Sequence, residues 1–111
     1  MQTVGKEFNL KVLGEIKAQL VSKFGDEVKD VILFGSRAKG TEREDSDFDI
    51  VILWSSDYDW QKRSKVRYYL NDIYSKYLVI IQSHLLSVKE LDMPRGKQSI
   101  FKAAVKEGVY A

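Results

Sequence analysis

A chain of 111 residues, 44% hydrophobic and 31% charged, has an ordinary globular composition and the length of one domain, taken here as residues 1–111. It has no cysteine, which excludes disulfides, zinc ribbons and thiol catalysis and agrees with a reducing cytoplasm. A net charge of +2 is too small to argue for nucleic acid, no apolar run reaches the roughly 18 residues of a membrane helix, and "MQTVGKEFNLK" lacks a signal peptide's apolar centre.

In chain order, Leu10, Leu13, Ile16, Leu20 and Phe24 fall three or four apart and predict an amphipathic helix stopped by Gly25. "VILF" (31–34) and "FDIVILW" (48–54) read as buried strands. Ser56 is the expected cap of a helix whose stripe is Val66, Tyr69, Leu70, Ile73 and Tyr77. "YLVIIQSHLL" (77–86) is the third expected strand. Ser87 and Glu90 have capping-box spacing and open a short helix that Pro94 interrupts. A last helix around Ile100, Phe101, Ala104 and Val105 ends at Gly108. Strands separated by helices predict an α/β domain, a small sheet of three or four strands covered by helices.

The chemistry concentrates in "LFGSRAKGTEREDSDFDIVIL", residues 33–53. Side chains alternate along a strand, so Asp47 and Asp49 project to one side. Two carboxylates that close repel, and a shared Mg²⁺ or Mn²⁺ removes the penalty by using both as oxygen ligands. Gly35 permits close backbone approach, and Ser36 offers an amide and a hydroxyl where the chain turns into a helix, a setting suited to phosphate. Arg37 and Lys39 add positive charge nearby and make Arg37 a further nucleotide-binding candidate. A phosphate cradle facing a carboxylate pair suits a nucleoside triphosphate. Two competing motifs fail on spacing. "GSRAKGT" puts Thr41-Glu42 where a P-loop needs Lys-Ser/Thr, and a calcium loop from Asp45 would have Ile50 for its glycine and Ser56 for its glutamate.

Gly35-Ser36, ten residues, then Asp47-Phe48-Asp49 resembles the signature of the minimal nucleotidyltransferases, small members of the DNA polymerase β-like superfamily. "GSRAKG", "SDFDIVIL" and the closing "KEGVYA" are similar to that family's wording, and the resemblance spans nearly the whole chain. It implies Gly35 and Ser36 as triphosphate contacts and Asp47 and Asp49 as catalytic metal ligands, with ATP as substrate. It also implies a HEPN-group partner (higher eukaryote and prokaryote nucleotide-binding), some members being antitoxins that place AMP on a tyrosine of that RNase toxin. The departure is on the next strand. Superfamily enzymes carry a third carboxylate there, whereas residues 77–86 contain no Asp or Glu; Gln82 or His84 could face the site instead, and Glu90 and Asp92 come too late. The alternative function is therefore a catalytically weak, nucleotide-binding antitoxin that neutralises its partner by complex formation.

Lys62, Arg63, Lys65 and Arg67 read first as a solvated helix face, and otherwise as a docking surface for an acidic partner or RNA. Trp54, Tyr58, Trp60, Tyr68 and Tyr110 are more aromatics than a small core needs, and part of them is expected at its edges or at an interface. Direct nucleic-acid binding is not expected, for want of aromatic RNA motifs. Self-association is left open.

Overall fold

The computed structural model describes residues 2–40 and 47–111. Helix α1 (Gln2–Phe24) leads through a 3₁₀ turn into strand β1 (Val28–Phe34), the one-turn helix α2 (Ser36–Lys39) and strand β2 (Phe48–Trp54). Helix α3 (Trp60–Tyr77), strand β3 (Ile81–Ser87), a 3₁₀ turn at Val88–Asp92, helix α4 (Ser99–Glu107) and the short strand β4 (Val109–Tyr110) complete the order. The sheet runs β3-β2-β1-β4, with β1 antiparallel to β2 and β4 and with β2 parallel to β3. This is the expected α/β class, a four-stranded mixed sheet with helices on both faces. No described helix is long and apolar enough to cross a membrane.

Strand alternation splits the core in two. Phe48, Ile50, Ile52 and Trp54 of β2 point to one face, where Val12, Leu13, Ile16 and Leu20 of α1 and Val66, Leu70 and Ile73 of α3 cover them. Val51 and Leu53 point to the other face and meet Ile32, Leu86 and, from α4, Phe101 and Ala104. Asp47 and Asp49 continue this second row beyond the reach of α4's buried residues. Burying one face with two long helices and the other with one short helix leaves the carboxylate end of the sheet open.

Four expectations shift. The cap of α3 is Asp59, whose Oδ1 accepts from the Lys62 N–H at 2.9 Å, because Ser56 spends its hydroxyl on Glu27 Oε1 at 3.0 Å. Tyr77 belongs to α3, not to the third strand: its ring completes the helical stripe, and Leu78 then ends the helix in the left-handed region at φ 56°. Strand β1 begins three residues before the apolar "VILF": Val28 and Asp30 pair with Trp54 and Leu53 of β2, and the register shifts between them. Strand β4 is too short for a periodicity to reveal; it exists because Val109 and Tyr110 pair with Leu33 and Ile32. The Ser87–Glu90 capping box is present as read.

Candidate active site

Gly35 joins β1 to α2 at φ 79°, a left-handed value that favours glycine. A second constraint is steric. A Cβ at Gly35 would lie 2.8 Å from Asp49 Oδ2, so the turn and the carboxylate occupy adjoining space. Ser36 opens α2, whose single turn closes through the Lys39 N–H on the Gly35 carbonyl at 3.2 Å.

Asp49 is level with Phe34 on β1 and with Gln82 on β3. Alternation therefore puts Asp47, Asp49, Phe34, Gln82 and His84 on one face. Gln82 Nε2 donates to Asp47 Oδ2 at 3.5 Å, at the long limit of a hydrogen bond. His84 is level with Val51, one step deeper, and its ring lies 5.7 Å from that of Phe34 and 6.3 Å from that of Phe101. Both replacements for the missing acid thus face the site, Gln82 beside the carboxylates and His84 on the floor beneath them.

The electrostatics follow from this crowding. Partial burial pushes the Asp49 carboxyl above its ordinary range, the Asp47 charge adds to the effect, and His84 opposes it. Burial lowers the proton affinity of His84; Asp49 opposes that shift, and Arg95 and Arg63 reinforce it. A site that penalises its own carboxylate charge favours a cation between Asp47 and Asp49. Two carboxylates open to solvent on one face fit a hard divalent ion whose remaining ligands are phosphate and water. No cluster of three or more His, Cys, Asp or Glu able to hold a metal occurs among the described residues.

Arg37 is brought against α1. Its Nη1 donates to Asn9 Oδ1 at 2.9 Å, Asn9 Nδ2 donates to the Arg37 carbonyl at 3.3 Å, and its guanidinium lies 5.6 Å from the Phe48 ring centre on the opposite face of β2. Arg37 and Lys39 line a cleft of about 260 Å³ with Lys6, Leu10, Leu33 and Val109, and the Asn9 contacts give Arg37 a part in docking α2 on α1. Thr41, Glu42 and Asp45, on which the rejected loop motifs turned, lie outside the described residues.

The nucleotidyltransferase domain family matches residues 13–107, which takes in both halves of the site. The chain belongs to that family. It is a nucleotidyltransferase. A Methanocaldococcus jannaschii protein named as a protein adenylyltransferase is 30% identical over 101 residues, covering 88% of this chain and 92% of its own. Two structures of the toxin–antitoxin complex MntA-HpeT share the fold. One carries two Asp-to-Glu substitutions and the other a Tyr-to-Ala substitution. They superpose with TM-scores of 0.59 and 0.58 at 18% and 20% identity, covering 87% and 88% of this chain and 69% of theirs.

Proposed function

We propose that this nucleotidyltransferase moves AMP from ATP to a hydroxyl of a HEPN-group partner protein, acting as an antitoxin in the cytoplasm. The observation that carries the reading is the convergence of Gly35-Ser36 with Asp47 and Asp49 on one open face. The relative named as a protein adenylyltransferase supports AMP transfer to protein, and the MntA-HpeT fold supports the antitoxin setting.

The amides of the Gly35-Ser36 turn hold the triphosphate, with α2's first turn directing N–H groups at it. Asp47 and Asp49 would hold Mg²⁺ or Mn²⁺, which when bound neutralises phosphate charge and polarises the reacting phosphoryl group. Gln82 restrains the Asp47 carboxylate, and His84 and Phe34 floor the site. The acceptor oxygen bonds to the α-phosphorus as the bond to the β-phosphate oxygen breaks. Pyrophosphate leaves in line, and the hydroxyl proton passes to solvent or to the partner. Positioning and charge neutralisation supply the catalysis.

Incubation with α-labelled ATP, Mg²⁺ and a HEPN-group protein should label the partner, and Asp47→Ala and Asp49→Ala should each abolish the label. By calorimetry, Gly35→Val should weaken ATP binding at least tenfold, about 1.4 kcal/mol. Label that survives either alanine variant sinks the assignment. The absence of an acid on β3 favours the second reading, neutralisation by binding alone. Its mark is a stable, unlabelled complex that survives both substitutions.

A further inference from the structure

The cleft of about 260 Å³ that Arg37 and Lys39 line lies on the face of the sheet opposite the carboxylates. Its apolar floor is Leu10, Leu33 and Val109. Leu33 and Val109 pack with the cluster that α1 covers, whereas Asp49 continues the row of Val51 and Leu53 on the other face. Strand pairing builds this floor, since Val109 is level with Leu33 and Leu33 with Ile50. Leu10 of α1 closes one side and is still 45% exposed.

Lys6 of α1 and Arg37 and Lys39 of α2 bring three cationic residues to this one volume, and no Asp or Glu lines it among the described residues. Arg37 is 9% exposed and fixed in place: its Nη1 donates to Asn9 Oδ1 at 2.9 Å, and its guanidinium lies 5.9 Å from the Phe8 ring centre. Neither Lys6 nor Lys39 has an ion-pair partner among the described residues. Concave walls of low dielectric concentrate the field of charges of one sign, and a bound anion relieves their repulsion. Three cations exceed what one carboxylate neutralises and suit a dianionic phosphate, whose several oxygens accept from lysine and arginine together. The apolar floor beside them calls for an apolar body on the same ligand. Pockets for drug-sized ligands run to about 300–1,000 Å³, so the body that fits here is small.

We propose that this cleft is a second anion site, which takes a dianionic phosphate monoester with a small apolar body, a nucleoside monophosphate or an aryl phosphate. The phosphate sits among Lys6, Arg37 and Lys39, and the body lies on Leu10, Leu33 and Val109. The sheet separates this site from Asp47 and Asp49, so it needs no metal and takes no part in the transfer step. A nucleoside triphosphate with its metal is a poor occupant, because it is larger and the metal cancels part of the charge that the cations answer. An RNA strand presents single charges spaced along a backbone, whereas these three cations converge on one volume.

The test is titration of AMP, and separately of phenyl phosphate, into isotope-labelled protein in EDTA, followed amide by amide by NMR. Saturable shifts should gather at Leu10, Leu33 and Val109, and the tighter of the two probes tells a nucleoside body from an aryl one. On the wild type, inorganic phosphate should displace the probe, while adenosine and succinate should each bind at least tenfold more weakly than AMP and phosphate. Lys6→Glu should weaken AMP binding tenfold or more by reversing one charge. Leu10→Glu should do the same through the floor and stands in if circular dichroism shows Lys6→Glu unfolded. Asp47→Ala, on the other face, should leave AMP affinity unchanged. Shifts confined to Phe34, Gly35 and Asp49, or loss of AMP binding in Asp47→Ala, would place AMP at the carboxylates and overturn the proposal. So would wild-type affinity in the folded cleft variants, adenosine or succinate binding as tightly as AMP or phosphate, or no saturation by roughly 10 mM of either probe. Displacement of AMP by poly(U) at a lower concentration of phosphate groups than inorganic phosphate requires would assign the cleft to RNA and also overturn it.

Discussion

Asp49 carries an electrostatic conflict that folding maintains. Its carboxyl is partly desolvated and faces Asp47, so its folded proton affinity exceeds that of the unfolded chain. For an acid with a raised value, ionisation costs stability. The cost is absent below the ordinary value of 3.8 and grows as pH rises from there through the folded value. In metal-free buffer Asp49→Asn should therefore raise Tm at pH 7, and the gain should vanish below pH 3.8. Solvent screening keeps the effect below about 1 kcal/mol, a rise of no more than about 4 °C. Thermal melts at several pH values measure it; a lower Tm at pH 7 would mean that Asp49 is paired favourably and is not held in repulsion. Nucleotide binding in Mg²⁺ should move the opposite way, since Asn is a poorer ligand. A residue that weakens the fold while serving the site is the expected signature of function.

Among the elements, α3 and its entry loop show how neighbouring polar residues divide their work. Ser55 donates to the Asp26 carbonyl at 2.9 Å, Ser56 to Glu27 at 3.0 Å, and Lys62 reaches Glu27 at 2.6 Å while its ammonium lies 4.7 Å from the Trp54 ring centre. The Lys62 hydrogen bond, then that of Ser56, holds the Glu27 carboxyl below its usual range. These contacts pin the start of α3 to the turn that opens β1, and Asp59 caps the helix. Asp59→Ala should cost about 1 kcal/mol in urea denaturation, whereas Ser56→Ala, an exposed contact, should cost under about 0.5 kcal/mol. The reverse order would restore Ser56 as the cap. Within the basic run, Lys62 is thus structural.

At the scale of the whole molecule, the two faces of the sheet are unequally anchored. Two long helices cover the Phe48 face, while nine residues of α4 hold the other, a length at which a helix is marginal without packing. Phe101 is its anchor, buried against Leu86 and Val51, with the Arg95 guanidinium 4.7 Å from its ring centre. Phe101→Ala should cost about 3–5 kcal/mol, a large share of the roughly 5–15 kcal/mol that keeps a domain folded. It should also loosen His84, whose ring it meets. Chemical denaturation checks the first effect and the width of the His84 imidazole resonances the second. A loss below about 1 kcal/mol would mean that α4 is not what closes this face.

Local patterns in the sequence were sufficient for the longer elements, though not for strand β4 or every boundary, and for setting Asp47 and Asp49 on one side. Helical spacing carried α1, α3 and α4, and period two alone put Asp47 and Asp49 on one side, because these relations depend only on a residue's near neighbours. The Ser87–Glu90 box was legible for the same reason. Tertiary structure decided whatever depended on a distant partner. Asp59 won the cap because Ser56 found Glu27, twenty-nine residues back. Arg37, adjacent to the phosphate cradle in sequence, turned to Asn9 across the fold. Parallel pairing with β2 brought Gln82 and His84 to the site and left Ile81 and Ser83 facing outward, since the phase of a ladder is set between strands and is written in neither one.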